Sequence, residues 1–321
     1  HNLLRVSLDS TDDVIDYIDI SLEAAEVLKD DEPEVVLGIL ENALKREENN
    51  IELRFKQAVV REAIEPNENA TIWQTLWPQA GSLLPRERAV VARHLALEYL
   101  AAKDYSKVCE FGRLAMEFAE PGEGPIEALI SALTHLELWT ELKSSARGTL
   151  DTLSAYPESK RDSLSELCVW SLAQAHDELG ESAEAEHFLK RAILSDRWRS
   201  EALAKLIDLF RRTERYGELV IYTRDRLDQL VTEETPTATL EVFVEAMGKV
   251  GREAEVFSPL LSWALRHPSW ELDDLLLKTA QGRDAKTQVV RHLESRFSEN
   301  EISTHRGMLS AGELYEFEFK N

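Results

Sequence analysis

The sequence predicts an all-α fold in which antiparallel helix hairpins stack side by side into a solenoid. Three observations predict it. Gly and Pro are scarce, at 13 and 10 of 321 residues; a β-rich chain needs many tight turns, so helices with short connections are favoured. Apolar residues recur three and four positions apart, the spacing of a helix with one buried face. That pattern then returns roughly every 34 residues along much of the chain.

Taken from the N-terminus, "LEAAEVLKDDEPEVVLGILENALKREENN" from Leu22 reads as a first hairpin with Leu28, Val36, Leu40, Ala43 and Leu44 inside. "IELRFKQAVVREAIEPNENATIWQTL" from Ile51 reads as a divergent second one. A better-defined pair follows, carried by Leu95, Ala96, Tyr99, Tyr105, Val108, Gly112 and Ala115. Its successor is carried by Leu129, Ile130, Leu133, Trp139, Leu142 and Ala146. A longer connection containing "AYPESKRDS" leads to the clearest hairpin, "LAQAHDELGESAEAEHFLKRAI". There Leu172, Ala173, Ala175, His176 and Leu179 form one buried face, and Ala185, Phe188, Leu189, Ala192 and Ile193 form the other. Gly180 between them suits the left-handed backbone that ends a helix, and Glu181-Ser182 starts the next.

The same positions return at Leu206, Ile207, Phe210, Tyr216 and Leu219. They return again at Phe243, Val244, Met247, Gly251, Val256, Leu260 and Trp263, closed by Pro268. "LDDLLLKTAQGRDAKTQVVRHLESRF" from Leu272 reads as a last pair. The expected organisation is a lead-in over 1–16, a solenoid of about eight helix pairs over 17–300, and a tail over 301–321. Within the tail, "GELYEFEFK" alternates Leu314, Glu316 and Glu318 with Tyr315, Phe317 and Phe319, the period of a strand. Two readings stay open for it: the edge of a further domain, or a strand docked on the last helices. An edge at Tyr315–Phe319 would also allow two copies to pair.

These hairpins resemble the tetratricopeptide repeat, a 34-residue helix-turn-helix unit. The resemblance is carried by Leu172 beside small Ala173, the large slot at His176, the turn Gly180, small Ala185, bulky Leu189 and small Ala192. Small residues let helices approach where they cross and large ones fill the flanks. The resemblance implies a right-handed superhelix whose first helices line a concave groove. Carried over residue by residue, it places Arg93, Glu127, Ser131, Trp170, Gln174, Asp177, Asp208, Arg211, Arg212, Glu241 and Glu245 on that groove, with burial against the next repeat as the alternative for Trp170. One subclass of the family grips a peptide carboxylate with Lys and Asn at set places. Here those places hold Trp170, Gln174, Ala204, Asp208, Arg93 and Leu97, so that clamp is missing.

The formal net charge of −23 repels phosphate backbones and anionic headgroups, which disfavours nucleic acid and membrane surfaces as partners. Between Arg5 and Glu68 stand eighteen acidic residues against seven basic, which points to a protein or peptide partner with basic residues. Cys109 and Cys168 are the only cysteines, with no CxxC, so neither a disulfide framework nor a Cys-based zinc site is expected. No run of apolar residues is long enough to span a bilayer. The chain starts at His1 rather than Met, as expected of a trimmed or processed product in which a signal or anchor would no longer be visible; the default compartment is the cytoplasm.

Catalytic signatures are missing. His176, Asp177, Glu178, Glu186 and His187 crowd one stretch, but successive helical residues point about 100° apart and do not converge. "HLE" occurs at His135 and His292 without the PCxxC of a zinc deaminase. No HExxH, GxSxG, GxxxxGK[ST] or GxGxxG is present. The expectation is therefore no catalytic residues, no metal and no cofactor. The functional expectation is an interaction scaffold holding a peptide or partner helix in a mostly acidic groove. The alternative is the recruiting arm of a larger enzyme.

Overall fold

The computed structural model describes residues 13–29, 31–64, 70–119, 124–224, 236–266 and 270–298. They form sixteen α-helices and three short 3-10 turns, with no strand among the described residues. The protein is an all-α solenoid of helix hairpins. It divides into two compact units, His1–Ser195 and Asp196–Asn321. The first holds α1 (Val14–Leu28), α2 (Pro33–Arg46), α3 (Ile51–Ile64), α4 (Ala70–Leu76), α5 (Pro85–Ala101), α6 (Tyr105–Phe118), α7 (Ile126–His135), α8 (Trp139–Asp151), α9 (Glu158–Glu178) and α10 (Ser182–Ala192). The second holds α11 (Arg199–Arg212), α12 (Tyr216–Arg224), α13 (Pro236–Lys249), α14 (Phe257–Arg266), α15 (Trp270–Thr279) and α16 (Gly282–Ser298). Helix α1 starts three residues before the expected boundary. The strand expected at Tyr315–Phe319 lies outside the described residues.

Odd-numbered helices are the first of each hairpin and even-numbered ones the second. In the first unit, α1 packs on α2, α5 on α6, α7 on α8 and α9 on α10, while neighbouring first helices also meet, α5 with α7 and α7 with α9. The second unit pairs α11 with α12 and α15 with α16, and α13 reaches α14 through the 3-10 turn Glu253–Glu255. The apolar positions predict this burial well. Leu95, Ala96, Val108 and Ala115, then Leu129, Leu133, Leu142 and Ala146, then Leu206, Phe210, Leu219, Phe243, Met247 and Leu260 are all buried. Leu44, Tyr99, Tyr105, Trp139, Tyr216 and Val244 are half-buried, and Leu179 is 37% exposed; it is the C-cap residue of α9 and has already left the buried stripe. No helix of the described residues is long and apolar enough to cross a membrane.

Five of the hairpins turn by one device. Lys103, Glu137, Gly180, Glu214 and Gly251 all have positive φ, between 55° and 74°. The next residue in each case donates its N–H to the carbonyl five positions back, at 2.9 Å: Asp104 to Tyr99, Leu138 to Leu133, Glu181 to His176, Arg215 to Phe210 and Arg252 to Met247. The positive-φ residue itself donates to the carbonyl three positions back, as Gly180 does to Asp177 at 3.0 Å. This is the Schellman closure, which satisfies carbonyls that a helix end would otherwise leave bare. The accepting residues are the large-slot residues of the repeat, so the group that fills the core also anchors the turn.

Three of the five left-handed positions are held by Lys or Glu, which pay a Cβ penalty that Gly does not. Glu137→Gly and Glu214→Gly should each stabilise the protein by up to about 1 kcal/mol, the relief of left-handed strain less the entropy of a Gly in the unfolded chain. Gly180→Val should destabilise by about 1–2 kcal/mol from strain alone, since a Cβ there would meet nothing within 4 Å. Urea unfolding midpoints measure all three, and a Gly180→Val midpoint equal to the parent's would show that the turn tolerates an ordinary residue.

Candidate functional site

The cluster of His and acids around His176 resolves into structure rather than chemistry. His176 is 5% exposed and stacks on Phe188, ring centroids 5.3 Å apart. Its Nδ1 lies 2.5 Å from Glu181 Oε2, and Lys143 Nζ of α8 donates to the same carboxylate at 2.7 Å. Lys143 first and His176 second hold the Glu181 carboxyl below its ordinary range. The trio thus ties the α9–α10 turn to the preceding hairpin. His187 is exposed and meets Phe188 edge-on. No group of three His, Cys, Asp or Glu among the described residues could hold a metal ion. Both thiols are buried, and burial raises both, Cys168 to about 12; a thiol so raised is a poor nucleophile.

The expected groove residues fall into three situations. Glu127 is exposed, and Ser131 and Gln174 are half-buried, on the open sides of α7 and α9. Trp170 and Asp177 are buried, at 7% and 9% exposure, which for Trp170 is the alternative the sequence left open. The reason is that α9 packs on α7, α8 and α10 at once. Residues from Cys168 to Ala173 are consecutively buried, so this stretch of helix has hardly an open side. In the second unit, Asp208, Arg211, Arg212 and Glu241 are exposed and Glu245 half-buried. Arg211 bridges to Glu245 of the next first helix at 2.8 Å, and Arg212 to Asp208 one turn back at 2.9 Å. The expected arginine pair is thus engaged by carboxylates of the same expected set.

Arg93 stands apart. It borders a pocket of about 460 Å³ between α1, α3 and the start of α5. The walls include apolar Phe55, Val59, Leu84 and Val90, and the charged Glu26, Lys29, Lys56, Arg86 and Glu87. Glu26 accepts from Lys29 at 2.8 Å and from Lys56 at 3.0 Å. Those two bonds hold its carboxyl down to about 2. Sequence periodicity missed the pocket, because it assigned the first two hairpins only loosely. The usable signal was the alternation of Phe55, Lys56, Val59 and Val60 along one helix.

Beneath Arg93 lies His94. Its ring is stacked flat on Trp73, 4.2 Å away. Nε2 is 3.5 Å from the Arg93 guanidinium and Nδ1 is 3.9 Å from Glu62. Burial first and the Arg93 charge second hold the imidazole down to about 4.

No protein-family model matches the sequence, and no curated protein matches it. Among solved structures, 94% of the chain superposes on a chain of Naa15/Naa10 bound to HypK-THB, with 15% identity and a TM-score of 0.53. This chain spans 44% of the length of that one. At that identity the likeness is one of fold alone, a helical-repeat solenoid. The P58(IPK) TPR domain aligns with 96% of this chain and 99% of its own, at 12% identity and a TM-score of 0.26, too distant in shape to add to that.

The His94 geometry sets a pH dependence. The unfolded imidazole takes up a proton near its ordinary 6.5, while the folded one resists it down to about 4. Folding stability is therefore fully present above 6.5 and falls as pH drops through that window, by roughly 2–3 kcal/mol from this residue. His94→Gln should remove that part of the slope. Urea unfolding of both proteins at pH 7.5 and pH 4.5 measures it; parallel losses in the two would show that His94 does not titrate this way.

Proposed function

We propose that the protein is a non-catalytic interaction scaffold that holds an extended peptide or a partner helix against the open sides of its first helices. The observation that carries this reading is where polar groups are left uncommitted. Hairpins bury their apolar faces against one another and leave first-helix sides open. On α7 and α9 those sides carry Glu127, Ser131, Glu166 and Gln174, none of them fully buried. Neither Glu127 nor Glu166 has a cationic partner among the described residues. A segment with Lys or Arg residues fits such a face, and the overall charge of −23 would draw it in. By contrast, the chemistry-bearing side chains, the thiols and His176, are spent on packing and turn closure. The face of α11 and α13 is self-neutralised, which makes it the weaker half of the expected groove.

A second reading has one observation in its favour. The solenoid matched over most of this chain belongs to an assembly, Naa15/Naa10 with HypK-THB. The protein would then be the recruiting arm of a larger enzyme, holding a catalytic partner by the same open sides. A partner that copurifies with this chain and carries an enzymatic activity would favour that reading over a free-standing adaptor.

The test of the face is a double charge change, Glu127→Lys with Gln174→Lys. Both side chains are at least partly open, so helicity and the unfolding midpoint should stay as they are. Capture of Lys- and Arg-containing peptides by the immobilised protein should weaken about tenfold, the effect of removing one charge-assisted contact and adding a like charge. Undiminished capture of the same peptides would remove α7 and α9 from the binding surface.

A further inference from the structure

We propose that the pocket between α1, α3 and α5 anchors a partner segment that presents an apolar side chain next to a carboxylate. The inference rests on the scaffold reading above and names the chemistry of one of its contact points. Its sign is opposite to that of the α7–α9 face.

Three observations carry it. The first is the pocket itself. At about 460 Å³ it lies within the roughly 300–1,000 Å³ of ligand clefts, and its apolar wall is incompletely covered. Leu84 is 66% exposed, and Val59 and Val90 are half-buried. Apolar surface left open inside a concavity is stabilised by an apolar group that enters it.

The second is charge. Four cations, Lys29, Lys56, Arg86 and Arg93, share the walls with two carboxylates, Glu26 and Glu87. The two lysines converge on Glu26, and Lys56 also approaches Glu87 at 3.8 Å. Leaving Arg86 aside, the three cations Lys29, Lys56 and Arg93 still outnumber the two carboxylates, in a chain whose overall balance is −23. The pocket therefore attracts what the rest of the surface repels.

The third is Arg93. The chain has 60 acidic residues for 37 basic ones, and several of its arginines bridge to carboxylates, as Arg61 does to Glu41 and Arg211 to Glu245. Arg93 is half-buried, and among the described residues its polar contact is a 3.5 Å approach to the ring of His94. A half-buried guanidinium beside a ring, with no anion, is a costly arrangement that an incoming carboxylate relieves. The guanidinium fork pairs with it while the neighbouring side chain of the same segment enters the apolar cleft.

The experiment uses the full chain over an array of immobilised decapeptides in which one position is fixed at a time and the others are randomised. The array should select Asp or Glu adjacent to Leu, Ile or Phe. The selected peptide is then titrated against three variants. Arg93→Glu should weaken it by about tenfold or more, from a lost charge-assisted pair replaced by repulsion. Leu84→Asp should weaken it to a similar degree while leaving the protein as stable or more so, because Leu84 is the N-cap residue of α5 and Asp is a better cap. Lys160→Glu, an exposed change at the start of α9, controls for net charge and should leave the affinity as it was. Equal binding by Arg93→Glu, or equal weakening by Lys160→Glu, overturns the proposal. An array that selects Lys and Arg, with capture lost in the Glu127→Lys, Gln174→Lys protein, overturns the pocket and leaves the scaffold reading standing. An array that retains nothing overturns both.

Discussion

Helix-to-helix contact at close range is the constraint from which the remaining features follow. A Cβ added to Gly112 of α6 would stand 3.3 Å from Leu129 Cδ1 of α7, tighter than ordinary packing. Ala92, Ala96, Ala115, Ala146, Ala173, Ala185 and Ala192 are all 0–1% exposed. Where backbones come this near, only small side chains fit, and the bulky ones are displaced to the flanks, where Leu95, Leu133, Leu189 and Phe210 fill the space. The large-slot residue must then sit at a fixed height on its helix. That height puts its carbonyl under the turn, where the Schellman N–H finds it. Packing and turn closure are thus one requirement expressed twice.

The same geometry distributes charge. Hairpins that stack in register bring residues about one repeat apart into contact, and the sequence uses this for ion pairs. Arg211 and Glu245 are 34 residues apart, Lys143 and Glu181 38, and Lys56 and Glu26 30. Each such pair is partly exposed and contributes little to stability. Its effect is on recognition, because an engaged Arg and Glu no longer advertise their charge. The second unit's first-helix face is muted in this way. The first unit's is not: carboxylates on α7 and α9 and a cationic pocket near Arg93 give one surface two signs. A binding segment would be oriented by that polarity as well as held by it.

Much of this was legible in the sequence and some was not, for physical reasons. Helix periodicity and the small–large alternation place nearly every core residue from Leu95 to Leu260, because burial depends on spacing, and spacing is written in the chain. The turn at Gly180 was readable because Gly is the residue a left-handed turn favours. The equivalent turns at Lys103, Glu137 and Glu214 carried no such mark; only the register of the repeat located them. The burial of Trp170 and Asp177 was hard to read for a different reason. Family register says which way a side chain leaves its helix, but not how many neighbours surround that helix, and α9 is enclosed on several sides. Arg93 borders the pocket near α1 and α3. Its lack of a carboxylate partner was invisible until α1 and α3 were set beside α5.

The distribution of polar groups also bears on what kind of function such an architecture can carry. Catalysis needs titratable groups that converge, are partly desolvated and remain available. In the first unit the converging sets are closed. Glu181 satisfies both Lys143 and His176, and the Cys168 thiol lies among core residues with its pKa driven up by burial. In the second unit His292 and Asp273 form a buried pair at 3.0 Å, 4% and 2% exposed, which joins α15 to α16. Among the described residues, the open groups of α7 and α9 are spread along helix sides, where the scaffold reading would have them meet successive residues of one segment. On the scaffold reading, a surface of that kind would recognise length and charge order. The first unit's sequence of a cationic, apolar-walled cleft followed by open carboxylates is the part of the molecule where such an order is written.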